Sequence, residues 1–131
     1  MSLEHPIVAV TGSSGAGTST VRSAFEAVFR RQGITAVHVQ GDAFHRYSRR
    51  EMAEAIEEAQ RQGRSLSHFG PEGNLFDELE GLFREYAETG RGWRRLYLHN
   101  AEEVAEYGGS VDEGEFTPWE RLPDGSDVLF Y

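Results

Sequence analysis

The chain contains no cysteine and no lysine, and no stretch of it is apolar for long enough to cross a bilayer. Without cysteine there are no disulfides, no thiolate metal sites and no cysteine nucleophile. A membrane-spanning helix needs about 20 apolar residues, and no such window exists. The opening "MSLEHPIVAV" lacks a basic segment followed by a long apolar one, so no signal peptide is expected and a soluble cytoplasmic protein is the plain reading. All 13 basic residues are arginine, against 22 Asp and Glu, for a net charge of −9. Such a balance repels polyanions, which disfavours nucleic acid as a partner. At 131 residues the chain is expected to be one domain, with room for a core but small for a complete nucleotide-binding fold.

The lack of lysine matters most near the N-terminus, where "VAVTGSSGAGTSTV" carries an apolar run, Ile7–Val10, into a glycine-rich loop and then a helix-like stretch. A phosphate-binding loop has this form, with its second glycine followed by lysine and then serine or threonine. Gly12 and Gly17 occupy the glycine positions and Ser19 the hydroxyl position, but Thr18 stands where the lysine belongs. The loop's main contribution does not depend on that cation. Backbone N–H groups converge on phosphate oxygens, and the helix N-terminus adds partial positive charge. Glycines at 12, 15 and 17 permit the close approach, and Ser19 offers its hydroxyl to a magnesium ion. The competing interpretation is a ligand-free glycine turn, which the strand before, the helix after and the spacing of Gly12, Gly17 and Ser19 all disfavour.

Further along, Val21, Ala24, Phe25, Val28 and Phe29 recur at helical spacing and predict an amphipathic helix ending near Gly33. "ITAVHVQ" (Ile34–Gln40) predicts a second strand, completing a βαβ unit and hence a mainly parallel α/β sheet. "GDAFHRY" follows as a loop, and Ser48 with Glu51 forms a capping box opening a helix to about Gln62. Leu75–Gly90 predicts another helix with Leu75, Leu79, Leu82, Phe83 and Tyr86 inward. Trp93–Asn100 is expected to be a strand, and Ala101–Pro123 shows no clear periodicity. "SDVLFY" (Ser126–Tyr131) has the apolar character of a central parallel strand, and its position at the end of the sequence predicts a truncated chain.

Candidate acceptor-side residues cluster after the second strand. In open parallel sheets ligands lie beyond the carboxyl ends of the strands, so Asp42 is expected beside the phosphate loop, where it would take the proton of an attacking hydroxyl. The alternative is a turn-capping aspartate. His45, Arg46, Arg49 and Arg50 follow, with Tyr47 interleaved. Guanidinium groups bind phosphate bidentately, and arginine at a helix start opposes the helix dipole unless an anion is near. His45 and Arg49 are therefore the candidates for an anionic substrate, against a solvated basic helix start. His68 and His99 rank lower, and the five histidines lack the spacing of a zinc site.

Taken together, "HPIVAVTGSSGAGTSTV", "GDAFHRYSR", "SHFGPEGNLFDELEGLFREYAETG" and the closing "DVLFY" resemble the bacterial-type phosphoribulokinases over essentially the whole chain. Threonine at the lysine position is a mark of that family, which delivers its cation from a later segment. The resemblance implies a P-loop kinase fold, a parallel sheet flanked by helices, present here as an N-terminal portion. It implies ATP-dependent phosphorylation of D-ribulose 5-phosphate to ribulose 1,5-bisphosphate in carbon fixation, with ATP and magnesium bound and a homo-oligomeric assembly. Gly12, Ser13, Ser14, Gly15, Ala16, Gly17, Thr18, Ser19 and Thr20 would hold the nucleotide, with Ser19 near the metal. Asp42 would be the general base, and His45 and Arg49 would contact the sugar phosphate. The alternatives are a nucleotide-binding fragment without turnover and a related sugar or nucleoside kinase.

Overall fold

The computed structural model describes residues 4–11, 17–67 and 70–131, with Thr18 and Ser19 described in backbone only. The C-terminal apolar run becomes the strand on which the sheet is organised. Val128, Leu129 and Phe130 form β5 and are buried on both faces, as expected of a strand inside a parallel sheet. It lies between β1 (Ile7–Val8) and β2 (Ala36–His38), parallel to both, in the order β1-β5-β2. Ile7 and Val37 both stand opposite Leu129, and Val8 and His38 opposite Phe130. The predicted βαβ unit is present, but its two strands are not neighbours. The last strand of the chain inserts between them.

The chain forms two compact units, and this sheet belongs to the one comprising Met1–Val39, Gly81–Trp93 and Arg121–Tyr131. Helix α1 (Thr18–Arg31) covers the sheet with Phe25 and Phe29, whose rings lie 5.4 and 5.7 Å from that of Phe130. They sit four residues apart, so both fall on one helical face. Helix α3 (Phe76–Thr89) buries Leu82 and Tyr86, and the Tyr86 hydroxyl shares a 2.8 Å hydrogen bond with Ser126. The helix stops at Gly90, whose φ of 72° is left-handed and whose N–H still reaches Tyr86 O at 2.7 Å.

Gln40–Glu80 and Arg94–Glu120 form the second unit. The predicted loop after β2 is instead a short 3₁₀ helix, Gly41–Phe44, because Ala43 and Phe44 are apolar and become buried. Helix α2 (Arg49–Arg61) opens with the predicted capping box: Ser48 Oγ accepts from Glu51 N, and Glu51 Oε1 from Ser48 N. The predicted strand over Trp93–Asn100 shrinks to β3 (Trp93–Arg94), which pairs with β4 (Glu120–Arg121), plus one isolated bridge between Tyr97 and Phe116. Gly114, at φ 79°, and Pro118, without an N–H, interrupt the partner segment, so no continuous ladder forms. The stretch without periodicity also contains a helix, α4 (Ala101–Tyr107).

Candidate active site

Asp42 lies on the 3₁₀ helix with its side chain 53% exposed, and a histidine 57 positions away is its nearest ionisable neighbour among the described residues. His99 Nε2 stands 2.7 Å from Asp42 Oδ2. On the other side of the ring, His99 Nδ1 is 3.0 Å from Glu103 Oε2, which also accepts the His99 backbone N–H at 2.7 Å. The imidazole is thus held between two carboxylates. Its partial burial pushes its pKa down, but the hydrogen bonds to Asp42 and Glu103 and their charges outweigh that, and the net shift is upward. Burial likewise pushes Glu103 up, but the backbone and ring of His99 outweigh it and lower the carboxyl. Both shifts favour an imidazolium flanked by carboxylates.

His45, at the end of the same 3₁₀ helix, brings Nε2 to 3.8 Å from Asp42 Oδ1. Arg49, the first residue of α2, donates from Nη2 to His99 O at 2.9 Å and lies 3.7 Å from Glu113 Oε1. Its backbone N–H goes to Gly114 O at 2.9 Å. Asp42, His45 and Arg49 line a cavity of about 320 Å³ together with the apolar side chains of Met52, Ala53 and Ile56. A carboxylate, an imidazole and a guanidinium thus meet in one concavity, able to accept a proton and to hold an anion.

The 3₁₀ helix that carries Asp42 and His45 is itself clamped. Arg95 donates from Nε to Ala43 O and from Nη2 to His45 O, both at 2.7 Å. Its guanidinium lies 3.6 Å from the centre of the Phe116 ring and 4.7 Å from that of Trp119. Burial lowers its pKa, and Glu51 and Glu78 act in the opposite sense.

The amino-acid sequence matches the Phosphoribulokinase / Uridine kinase family over residues 7–131. The chain belongs to that family. It is 55% identical over 132 residues to the chromosomal phosphoribulokinase of Cupriavidus necator, covering 100% of this chain and 44% of that protein. With the phosphoribulokinase of Nitrobacter vulgaris it is 53% identical over 129 residues, covering 98% of this chain and 44% of the relative. The solved phosphoribulokinase of Rhodobacter spheroides superposes with a TM-score of 0.82 at 43% identity, covering 98% of this chain and 42% of that one. The chain therefore spans less than half the length of these relatives.

Of the residues expected to serve a member of this family, Asp42, His45 and Arg49 come together at one cavity. Gly12, Ser13, Ser14, Gly15 and Ala16 lie outside the described residues, as does His68, and the side chains of Thr18 and Ser19 are likewise not described. Gly17 is the N-cap of α1 with φ 81°, and Thr20 lies in the first turn. Among the described residues no side chain caps that helix, and its first turn carries no acidic residue. Among the described residues no cluster of three His, Asp or Glu is arranged to hold a metal. Arg46 donates to Glu72 O at 3.1 Å and Arg50 lies 4.0 Å from Glu54, so both bind within their own surroundings.

In the sequence alone His99 is a weak candidate and nothing singles out Glu103. One local signal was available. Asn100 followed by Glu103 is a helix-start pattern, and Asn100 Oδ1 does accept from Glu103 N at 2.9 Å. That signal locates α4, but not the 57-residue link from His99 back to Asp42.

Proposed function

We propose that this chain is the phosphate-loop and acceptor-binding portion of a phosphoribulokinase, folded as a single P-loop domain, that transfers the γ-phosphoryl group of ATP to the 1-hydroxyl of D-ribulose 5-phosphate. The observation that carries the reading is Asp42 at a cavity shared with His45 and Arg49. It is supported by family membership and by the phosphoribulokinase names of the relatives.

In this mechanism Asp42 divides its two oxygens between two tasks. Oδ2 is engaged by His99 at 2.7 Å, while Oδ1 has His45 only at 3.8 Å, beyond hydrogen-bond length. Oδ1 is therefore the oxygen that takes the proton of the substrate hydroxyl. The freed oxygen attacks the γ-phosphorus, the bond to the β–γ bridging oxygen breaks, and ADP leaves with that electron pair. Arg49, with His45 beside it, holds the 5-phosphate. Gly12–Thr20 hold the nucleotide through backbone N–H groups at the start of α1. Ser19 would offer its hydroxyl to magnesium, which would supply charge neutralisation at the nucleotide phosphates.

The test is ATP- and magnesium-dependent formation of ribulose 1,5-bisphosphate by the purified chain, with Asp42→Asn alongside. Turnover that falls by at least about a hundredfold in the variant is the expected result, the size of a lost general base. The second reading is a nucleotide-binding chain without turnover, favoured by its spanning only 44% of the Cupriavidus necator relative. Absence of turnover with an ATP-raised Tm would select it. Phosphorylation of uridine instead of ribulose 5-phosphate would select a nucleoside kinase.

A further inference from the structure

Of the two carboxylates that flank His99, only Asp42 has a part in the proposed reaction. Glu103 lies on α4, is not among the residues lining the cavity, and accepts from both the backbone N–H and the ring of His99. We propose that Glu103 is a positioning residue: by gripping both the backbone N–H and the ring Nδ1 of His99, it aims Nε2 at Asp42 and so leaves the second oxygen of Asp42 for the substrate. The inference rests on the reading of Asp42 as general base.

The geometry assigns this role in three steps. A histidine side chain has two torsions, and an acceptor on Nδ1 alone leaves the backbone free to carry the ring away. Glu103 Oε2 meets the backbone N–H at 2.7 Å and Nδ1 at 3.0 Å, which restricts main chain and ring together. The Glu103 backbone is fixed in turn, because its N–H is held by Asn100 Oδ1 at 2.9 Å at the start of α4. Arg49 completes the restraint from the opposite end by donating to His99 O at 2.9 Å. The Tyr97 ring packs against the imidazole in a T-shaped arrangement, with ring centres 4.7 Å apart.

The consequence is chemical as well as steric. A carboxylate at Nδ1 keeps a proton there, and Asp42 at the far nitrogen draws a second proton to Nε2. His99 then donates to Asp42 Oδ2, rather than accepting from it. Donation to Oδ2 fixes the plane of the Asp42 carboxyl group, so that Oδ1 is the oxygen left for the substrate hydroxyl. The charged groups facing this ring are Asp42 from the 3₁₀ helix, Glu103 from α4 and Arg49 from α2, with His45 beyond Asp42 and Glu113 beyond Arg49.

The experiment is ¹⁵N NMR titration of His99 in the 131-residue chain, comparing wild type, Glu103→Gln and Glu102→Gln. Glu103→Gln keeps the shape and an acceptor oxygen but removes the charge. Glu102→Gln removes the same charge one residue away, from a side chain without contact to the ring among the described residues. The expected result is a downward shift of the His99 midpoint in Glu103→Gln, with Nε2 no longer fixed as a donor, and little change in Glu102→Gln. An unchanged His99 titration in Glu103→Gln, or equal shifts in both variants, would overturn the proposal. Where the wild-type chain turns over, Glu103→Gln lowers kcat about ten- to a hundredfold with KM for ATP unchanged, and moves the acid limb of the pH profile. A wild-type chain without turnover would count against the reading of the reaction, while the titration still decides the role of Glu103.

Discussion

His99 is bound on one side by Asp42 and on the other by Glu103, and the ring and Glu103 shift each other toward their charged forms. Their linkage to stability has a definite sign. The folded-state pKa of His99 is raised above its ordinary 6.5, so its contribution is complete below that value and is lost as pH rises through the folded pKa. For Glu103, lowered from an ordinary 4.5, the contribution is complete above that value and lost as pH falls through the folded pKa. The two coincide between pH 4.5 and 6.5. His99→Gln is therefore expected to destabilise the protein more at about pH 6 than at about pH 9, because the contribution of the raised pKa fades as pH rises through it. Urea unfolding of both proteins at the two pH values measures this, and an equal loss at both would contradict it. At the same scale Gly114 matters to Arg49. Its φ of 79° suits glycine, and an added Cβ would lie 3.0 Å from Arg49 Cβ, so backbone and arginine approach only because the side chain is absent.

At the scale of elements, helices were legible and short extended pieces were not. The capping box at Ser48 and Glu51 is local chemistry, and α2 starts where it says. Glu51 is correspondingly lowered, first by the backbone N–H of Ser48 and then by its hydroxyl. The 3₁₀ helix Gly41–Phe44 has no such local signature, because its conformation rests on contacts with residues fifty positions away. Arg95 supplies them through two carbonyls and two aromatic rings. Arg95→Met is expected to cost about 2–4 kcal/mol, since it leaves two carbonyls without their charged donor and removes a cation–π contact. Denaturant unfolding gives the magnitude. Hydrogen exchange at Ala43 N and His45 N, which are bonded within this helix, shows whether the element itself loosens. Arg95→Lys is expected to recover only part of the loss, because an ammonium cannot reproduce the fork that spans both carbonyls. Exchange rates unchanged in Arg95→Met would refute the clamp.

Across the whole molecule, the sheet depends on its last few residues. Leu129 is fully buried on β5, facing Ile7 on one side and Val37 on the other. Leu129→Ala is expected to lose about 2–5 kcal/mol, enough to unfold much of its unit at moderate temperature. Loss of cooperative melting for the signals of β1 and β2 checks this, and a Tm within a degree or two of wild type would sink it. The family, the parallel α/β class and the three long helices were determined by the sequence alone, which also singled out Asp42, His45 and Arg49, three residues that line one cavity. They are written in local patterns: apolar spacing, caps, glycine stops and a motif whose residues adjoin one another. Strand order, the 3₁₀ turn at Asp42, the Arg95 clamp and the link from Glu103 through His99 to Asp42 were decided only by the tertiary structure. Each of these joins residues tens of positions apart, and such pairings depend on packing and on the burial of polar groups that must find a partner. No periodicity in the chain records that choice.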